Sequence, residues 1–133
     1  MYPTLSTIVW PTTNVLTSVT LNDCALSEID FSSCTALTSL NVNNNTGMGG
    51  IDVSALTALT TLRADNIGMT TVDLSANTVL KNLYVNNNQL TTVDVSNMVA
   101  GLYLYANNNQ LTSIVAGESN VTSKSRIQIT NNN

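Results

Sequence analysis

Aliphatic residues recur along this chain at a fixed step. Leu80, Leu83, Val85, Asn88, Leu90, Val93 and Val95 set out the pattern L-x-x-L-x-V-x-x-N-x-L-x-x-V-D-V-S. A shift of 21 residues recovers it upstream at Leu59, Leu62, Ala64, Ile67, Met69, Val72 and Leu74, and downstream at Leu104, Ala106, Asn109, Leu111 and Ile114. Two further copies precede these, running from Leu16 to Phe31 and from Leu37 to Val53. The second takes a step of 22, because Thr46-Gly47-Met48-Gly49-Gly50 holds one additional residue. A period of this length is the signature of an array of stacked units, each burying its apolar face against its neighbours. Within a unit, Leu83-Tyr84-Val85 alternates with period two, so the outer residues point inward and the middle one outward. No unit holds ten residues of helical periodicity, and the Thr-Thr and Val-Asp-Val stretches favour extended chain.

The ends follow the same step. Leu5, Ile8 and Trp10 lie 21 residues before Leu26, Ile29 and Phe31, so residues 1–15 read as a half coil before five repeats over 16–114. Trp10 then heads an inward column of Phe31, Val53, Leu74, Val95 and Ala116. Over 115–133 the register slips by two, and Arg126 to Ile129 form a closing strand with Ile127 and Ile129 on the columns of Leu104 and Ala106.

At these residues the chain resembles the leucine-rich-repeat family, in particular the short bacterial repeats with N-x-L-T-x-[LIV]-D-[LV]-S units found in internalin-like and other surface proteins. The resemblance covers Leu16 to Ile114. It implies a mainly β fold: a leucine-rich-repeat solenoid of about five coils, with a parallel sheet on its concave face, an asparagine turn, and an extended or 3₁₀ segment on the convex side. Asn45, Asn88 and Asn109, with Asn132, are then expected to turn inward and hydrogen-bond backbone groups where each strand ends, each sparing a buried orphan worth about 1–3 kcal/mol. Cys24 occupies the same slot as a structural residue, and Ile67 interrupts it.

Composition narrows the chemistry. At 133 residues the chain is one domain. Charged residues are only 9%, whereas Asn, Thr and Ser number 20, 20 and 13, so the surface is solvated by amides and hydroxyls. A net charge of −4 argues against counterion-driven binding to nucleic acid or anionic lipid. No apolar run approaches the roughly 18 residues of a membrane-spanning helix. The absence of histidine removes His-dependent triads, His-ligated metals and His acid–base chemistry. With few paired carboxylates as well, the expectation is a non-enzymatic protein without a cofactor. Cys24 and Cys34 fall on different sides of the coil and are expected to be free thiols. Met1 to Asn14 lacks a basic leader and a continuous apolar segment. The expectation is therefore cytosolic maturation with assembly onto a viral particle, or a cell-surface protein whose leader has been removed. Asn44 and Asn120 match glycosylation patterns that chance explains in so Asn- and Thr-rich a chain.

The outward residues form columns. One reads Thr20, Asn41, Arg63, Tyr84, Tyr105, Gln128, and its neighbour Ser18, Ser39, Thr61, Asn82, Tyr103, Arg126. Three tyrosines gather there, flanked by Arg63, Lys81 and Arg126. Tyr and Arg anchor protein interfaces, so Arg63, Tyr84, Tyr103, Tyr105 and Arg126 are the candidate partner-binding residues. Cross-strand stacking that merely stabilises the sheet is the competing account, and a carbohydrate stacked on the rings is a lesser one. Two polar rows, Asn22/Asn43/Asp65/Asn86/Asn107 and Asp23/Asn44/Asn66/Asn87/Asn108, read as turn chemistry, with a glycan- or ice-binding rim as the alternative. Asp30, Asp52, Asp73 and Asp94 read as solvated turn carboxylates, with a shared cation as the alternative. Thr70-Thr71, Thr91-Thr92 and Thr112-Ser113 reflect β propensity, and Gly47 to Gly50 accommodates the insertion. The expected function is contact with another protein, or with copies of itself, through the concave face. The alternative is a structural subunit of a larger assembly, such as a virion-surface decoration or adhesion protein.

Overall fold

A computed structural model describes residues 5, 8–10, 15–98, 101–118, 122 and 124–132. Most of the expected N-terminal half coil, and Asn120, lie outside the described residues. The chain winds as a β-solenoid of about five turns. Each turn contributes one three-residue strand to a parallel sheet: β1 (Ser18–Thr20), β2 (Ser39–Asn41), β3 (Thr61–Arg63), β4 (Asn82–Tyr84), then β6 (Tyr103–Tyr105) and β8 (Arg126–Gln128). Between them β5 (Thr92–Asp94) and β7 (Ser113–Val115) pair in parallel as a second sheet. Among the described residues there is no helix, hence none long and apolar enough to cross a membrane.

In β1 to β6 the middle residue is buried and its two neighbours are not, whereas Ile114 of β7 is half-buried and Ile127 of β8 is exposed. Val19, Leu40, Leu62, Leu83, Leu104 and Ile127 are Cα partners in successive strands, and Leu40, Leu62, Leu83 and Leu104 are fully buried. Val42, Ala64, Val85 and Ala106, two residues further on, are buried behind them. On the other side Phe31, Val53, Leu74 and Val95 line the same interior. Trp10 stacks on Phe31 with ring centroids 5.8 Å apart and donates from Nε1 to the Asp30 carbonyl, so it heads that column as the spacing predicts. Ala116 keeps the step in line with Val95, just past the Asp94–Val115 pairing, but it is exposed rather than buried. Its neighbour Gly117 lies so close to the preceding coil that a Cβ there would sit 2.6 Å from the Ser96 carbonyl oxygen.

Three families of hydrogen bonds fasten one coil to the next. The inward asparagines form the first. Asn88 Oδ1 accepts from the amides of Ile67 and Met69 at 3.1 and 3.0 Å, and its Nδ2 donates to the carbonyls of Ala64 and Val85 at 2.9 and 3.1 Å. Asn45 does the same for Cys24, Leu26, Leu21 and Val42, and Asn109 and Asn132 continue the series. Cys24 holds the slot with a weaker donor, its Sγ lying 3.3 Å from the Asn22 carbonyl. The interruption at Ile67 coincides with the insertion in the coil before it. There Met48 N donates to the Asn45 carbonyl and Gly49 N to the Ile67 carbonyl, so the inserted loop itself satisfies the Met48 amide, which stands where Leu26 and Met69 are served by an asparagine.

The outer polar rows form the second family. Asn43, Asp65, Asn86 and Asn107 each accept, through a side-chain oxygen, the amide of the next coil at Asp65, Asn86, Asn107 and Thr130. Beside them Asp23, Asn44, Asn66, Asn87, Asn108 and Asn131 all adopt left-handed φ between 56° and 61°, the conformation Asn and Asp tolerate best after glycine. Threonine hydroxyls form the third, with Thr38, Thr60 and Thr112 donating to Thr17, Thr38 and Thr91 carbonyls.

Opposite the sheet, three successive coils turn twice by amide-to-carbonyl bonds three residues apart, at Phe31–Cys34–Leu37, Val53–Leu56–Leu59 and Leu74–Asn77–Leu80. Asn77 is the odd member of an otherwise apolar column of Cys34, Leu56 and Met98. Its Nδ2 donates to the Val53 and Leu56 carbonyls, while its Oδ1 is buried without a partner. Those carbonyls already accept from Leu56 N and Leu59 N, so removing the side-chain amide orphans nothing.

Opposite outcomes are therefore expected at two buried asparagines. Asn88→Ala leaves two amides without an acceptor and should lose about 3 kcal/mol or more, whereas Asn77→Leu removes an orphan and should match or raise the melting temperature. Chemical denaturation of both variants checks this, and equal losses would contradict it.

Candidate functional site

The parallel register dictates what happens on the outer face of the six-stranded sheet. Arg63, Tyr84, Tyr105 and Gln128 are Cα partners in successive strands, as are Asn82, Tyr103 and Arg126 in the neighbouring column. Adjacent strands lie about 4.7–4.9 Å apart. Tyr84 and Tyr105 therefore meet face to face, their centroids 4.8 Å apart and their planes within 3°. The Arg63 guanidinium carbon stands 4.1 Å from the Tyr84 ring centroid and closes its other face. At the far end Arg126 lies 5.9 Å from the Tyr105 centroid. The Gln128 side-chain amide lies 2.7 Å from Arg126 Nη2, and because a guanidinium only donates, its oxygen is the atom assigned there.

The five candidate residues thus fall on one surface, four of them in a continuous row of guanidinium, phenol, phenol and guanidinium. Tyr103, on the same strand as Tyr105, stays outside the stack and is 42% exposed. Among the described residues neither arginine is engaged in an ion pair. The nearest acid in sequence, Asp65, is committed to the backbone amide and Nδ2 of Asn86 at 2.7 and 2.8 Å. Lys81, which enters β4, is exposed. Ring stacking of this kind stabilises the sheet by about 0.5–1.5 kcal/mol, and an exposed arginine on a ring by about 0.5–1 kcal/mol. Both accounts of the tyrosines, structural and binding, therefore have a physical basis here. What the geometry removes is a sugar laid flat on Tyr84, since one face is taken by Tyr105 and the other by Arg63.

The aspartate column lies away from this face. Asp30, Asp52, Asp73 and Asp94 each accept the amide of the serine two residues on, at 2.7–2.9 Å. Asp94 also accepts the Ser96 hydroxyl at 2.6 Å. All four carboxylates are exposed, as expected of solvated turn groups, and the recurrent Asp-x-Ser spacing supplies the amide that each one accepts. In Asp30, Asp52 and Asp73 the serine amide is the chief cause holding the carboxyl below the ordinary aspartate range, with the serine hydroxyl next; in Asp94 the hydroxyl leads. Repulsion from the neighbouring aspartate opposes this weakly at Asp30 and Asp52. Among the described residues no three His, Cys, Asp or Glu side chains converge as a metal site does. Cys24 and Cys34 form no disulfide, and Cys34 is fully buried.

No family model and no curated protein matches the chain.

The aspartate turns give a signed pH dependence. Their folded pKa values lie below the unfolded ones, so the stability they supply is complete above the unfolded value near 4 and is lost as pH falls through the folded values. The melting temperature should drop on acidification below about pH 4, and should drop less in a variant with all four aspartates changed to Asn. An identical acid profile for the two proteins would contradict this.

Proposed function

We propose that the protein is a non-catalytic leucine-rich-repeat module that binds another protein through the outer face of its six-stranded sheet, with Tyr84, Tyr103 and Tyr105 at the centre. The observation that carries the reading is the row of two stacked phenols between two arginines that have no carboxylate partner among the described residues. Those side chains are pre-organised by their own contacts, so little torsional freedom is lost when a partner settles on them. Tyr and Arg are also the types that dominate binding at protein interfaces. The leucine-rich assignment draws support from the 21-residue step and from inward asparagines serving the amides of the preceding coil.

A second reading, a structural subunit of a larger assembly such as a virion-surface or adhesion component, is favoured by a different observation. Ile127 and Ile129, on and beside the outermost strand β8, are 37% and 44% exposed. They line a cleft of about 410 Å³ with Asn107, Gln128 and Thr130.

Site-directed photo-crosslinking in the source cells tests the first reading. A photoreactive phenylalanine at position 103 should yield a discrete adduct. The same group at Thr92, exposed on the second sheet, should not. Tyr84→Ala with Tyr105→Ala should abolish the adduct while circular dichroism stays that of the parent. Adducts of equal yield from positions 103 and 92, or an adduct that survives the double substitution, would remove the proposal.

A further inference from the structure

The face described above is not chemically neutral, and its composition specifies what fits it. The chain has only four basic residues, Arg63, Lys81, Lys124 and Arg126. Arg63 and Arg126 lie in β3 and β8, Lys81 immediately precedes β4 and Lys124 stands two residues before β8. All the positive side chains of a protein of net charge −4 therefore belong to the six-stranded sheet or its entry turns. Four of its eight acids stand in the aspartate column, held by serine turns elsewhere on the coil.

The aromatic part of the face points the same way. Because Tyr84 and Tyr105 are stacked within 3° of parallel, and Arg63 covers the remaining face of Tyr84, the row presents ring edges and hydroxyls rather than ring faces. An aromatic edge carries the positive lobe of the ring quadrupole, a phenol offers a donor, and a guanidinium offers donors alone. The phenols can accept as well, but the guanidinium groups at the two ends only donate, so the row's complement is rich in anionic acceptors.

Spacing adds a constraint. Arg63 and Arg126 are three strands apart, β3 to β4 to β6 to β8, which is roughly 14 Å across the sheet at about 4.8 Å per step; Arg126 starts two residues before Gln128, the register partner on that row, and reaches back to within 5.9 Å of the Tyr105 ring centroid. In an extended peptide, residues i and i+4 point to the same side and lie roughly 14 Å apart, with i+2 midway between. The match holds only for a segment crossing the strands along the row. Running that way, it sets i and i+4 against the two guanidinium groups and i+2 against the stacked phenols.

We infer that this face recognises an extended acidic segment of a partner protein, with carboxylates on alternate residues paired to Arg63 and Arg126 and a central one at the hydroxyls of Tyr84 and Tyr105. The inference rests on the binding face proposed above and assigns the chemistry of its partner.

The probe is a seven-residue peptide of alternating glutamate and threonine, set against a glutamine–threonine analogue, a lysine–threonine analogue and inorganic polyphosphate. NMR titration of the whole chain follows the Nε–Hε signals of Arg63 and Arg126 and the ring signals of Tyr84 and Tyr105. The glutamate peptide should shift all four groups. Its affinity should fall about tenfold for Arg63→Gln and again for Arg126→Gln, and should weaken in 0.3 M salt. A glutamate peptide that moves none of these signals at millimolar concentration, or a glutamine analogue that binds as tightly, overturns the inference. A stronger response to polyphosphate overturns it too, by making the face a phosphate binder. The crosslink at position 103 separates this failure from that of the binding face. If the adduct persists in Arg63→Gln/Arg126→Gln, the face stands and its acidic partner does not.

Discussion

Everything in this molecule depends on one constraint: each residue must meet its own counterpart one coil away. A parallel stack with a near-constant step brings like against like, which is favourable for a leucine, workable for an asparagine and unfavourable for an aspartate. The interior answers with Leu40, Leu62, Leu83 and Leu104 in one fully buried column. Buried backbone at the corners is answered by amides, because an asparagine side chain both accepts and donates. One residue can thus serve amides of the coil behind and carbonyls of both coils, as Asn88 does for Ile67, Met69, Ala64 and Val85. The scarcity of charge follows from the same constraint, since a charged column repels itself. Where aspartates are stacked, serine amides and hydroxyls stabilise their ionised form.

Deviations from the step are informative because they must be matched by the neighbouring coil. The additional residue at Thr46–Gly50 and the absence of an asparagine at Ile67 are two sides of one adjustment: the loop bonds to itself through Met48 and to the Ile67 carbonyl through Gly49. Ile67, read on its own as a broken ladder, is fully buried and consistent with its surroundings. On the outer face the same rule turns a pair of tyrosines into a stack. The separation of Tyr84 and Tyr105 matches the strand spacing, and at that separation their rings lie parallel. Along that stack the surface left to a partner is edges, hydroxyls and guanidinium groups, with Tyr103 exposed beside it.

Much of this is legible in the sequence. The strands, the columns of outward residues, the inward asparagines and the two-residue slip before Ile127 all follow from period and alternation, because hydrophobic burial repeats faithfully in a stack. Three features were not. Ala116 keeps the step yet is exposed, since periodicity reports a place in a column and not its burial. Asn77 is fully buried with an unpaired oxygen; the signal was present as the one polar member of the Cys34, Leu56, Met98 column, outside any strand. The closing of the Tyr84 ring by Arg63 depends on a long side chain's rotamer, which column membership does not specify.

The central claim is the in-register stack itself, and nuclear Overhauser contacts on the folded chain test it most directly. The account predicts ring-to-ring contacts between Tyr84 and Tyr105, with backbone contacts linking Leu62 to Leu83, Leu83 to Leu104 and Leu104 to Ile127 in the pattern of parallel strands. Antiparallel contacts among these strands, or rings of Tyr84 and Tyr105 that show none, would contradict it.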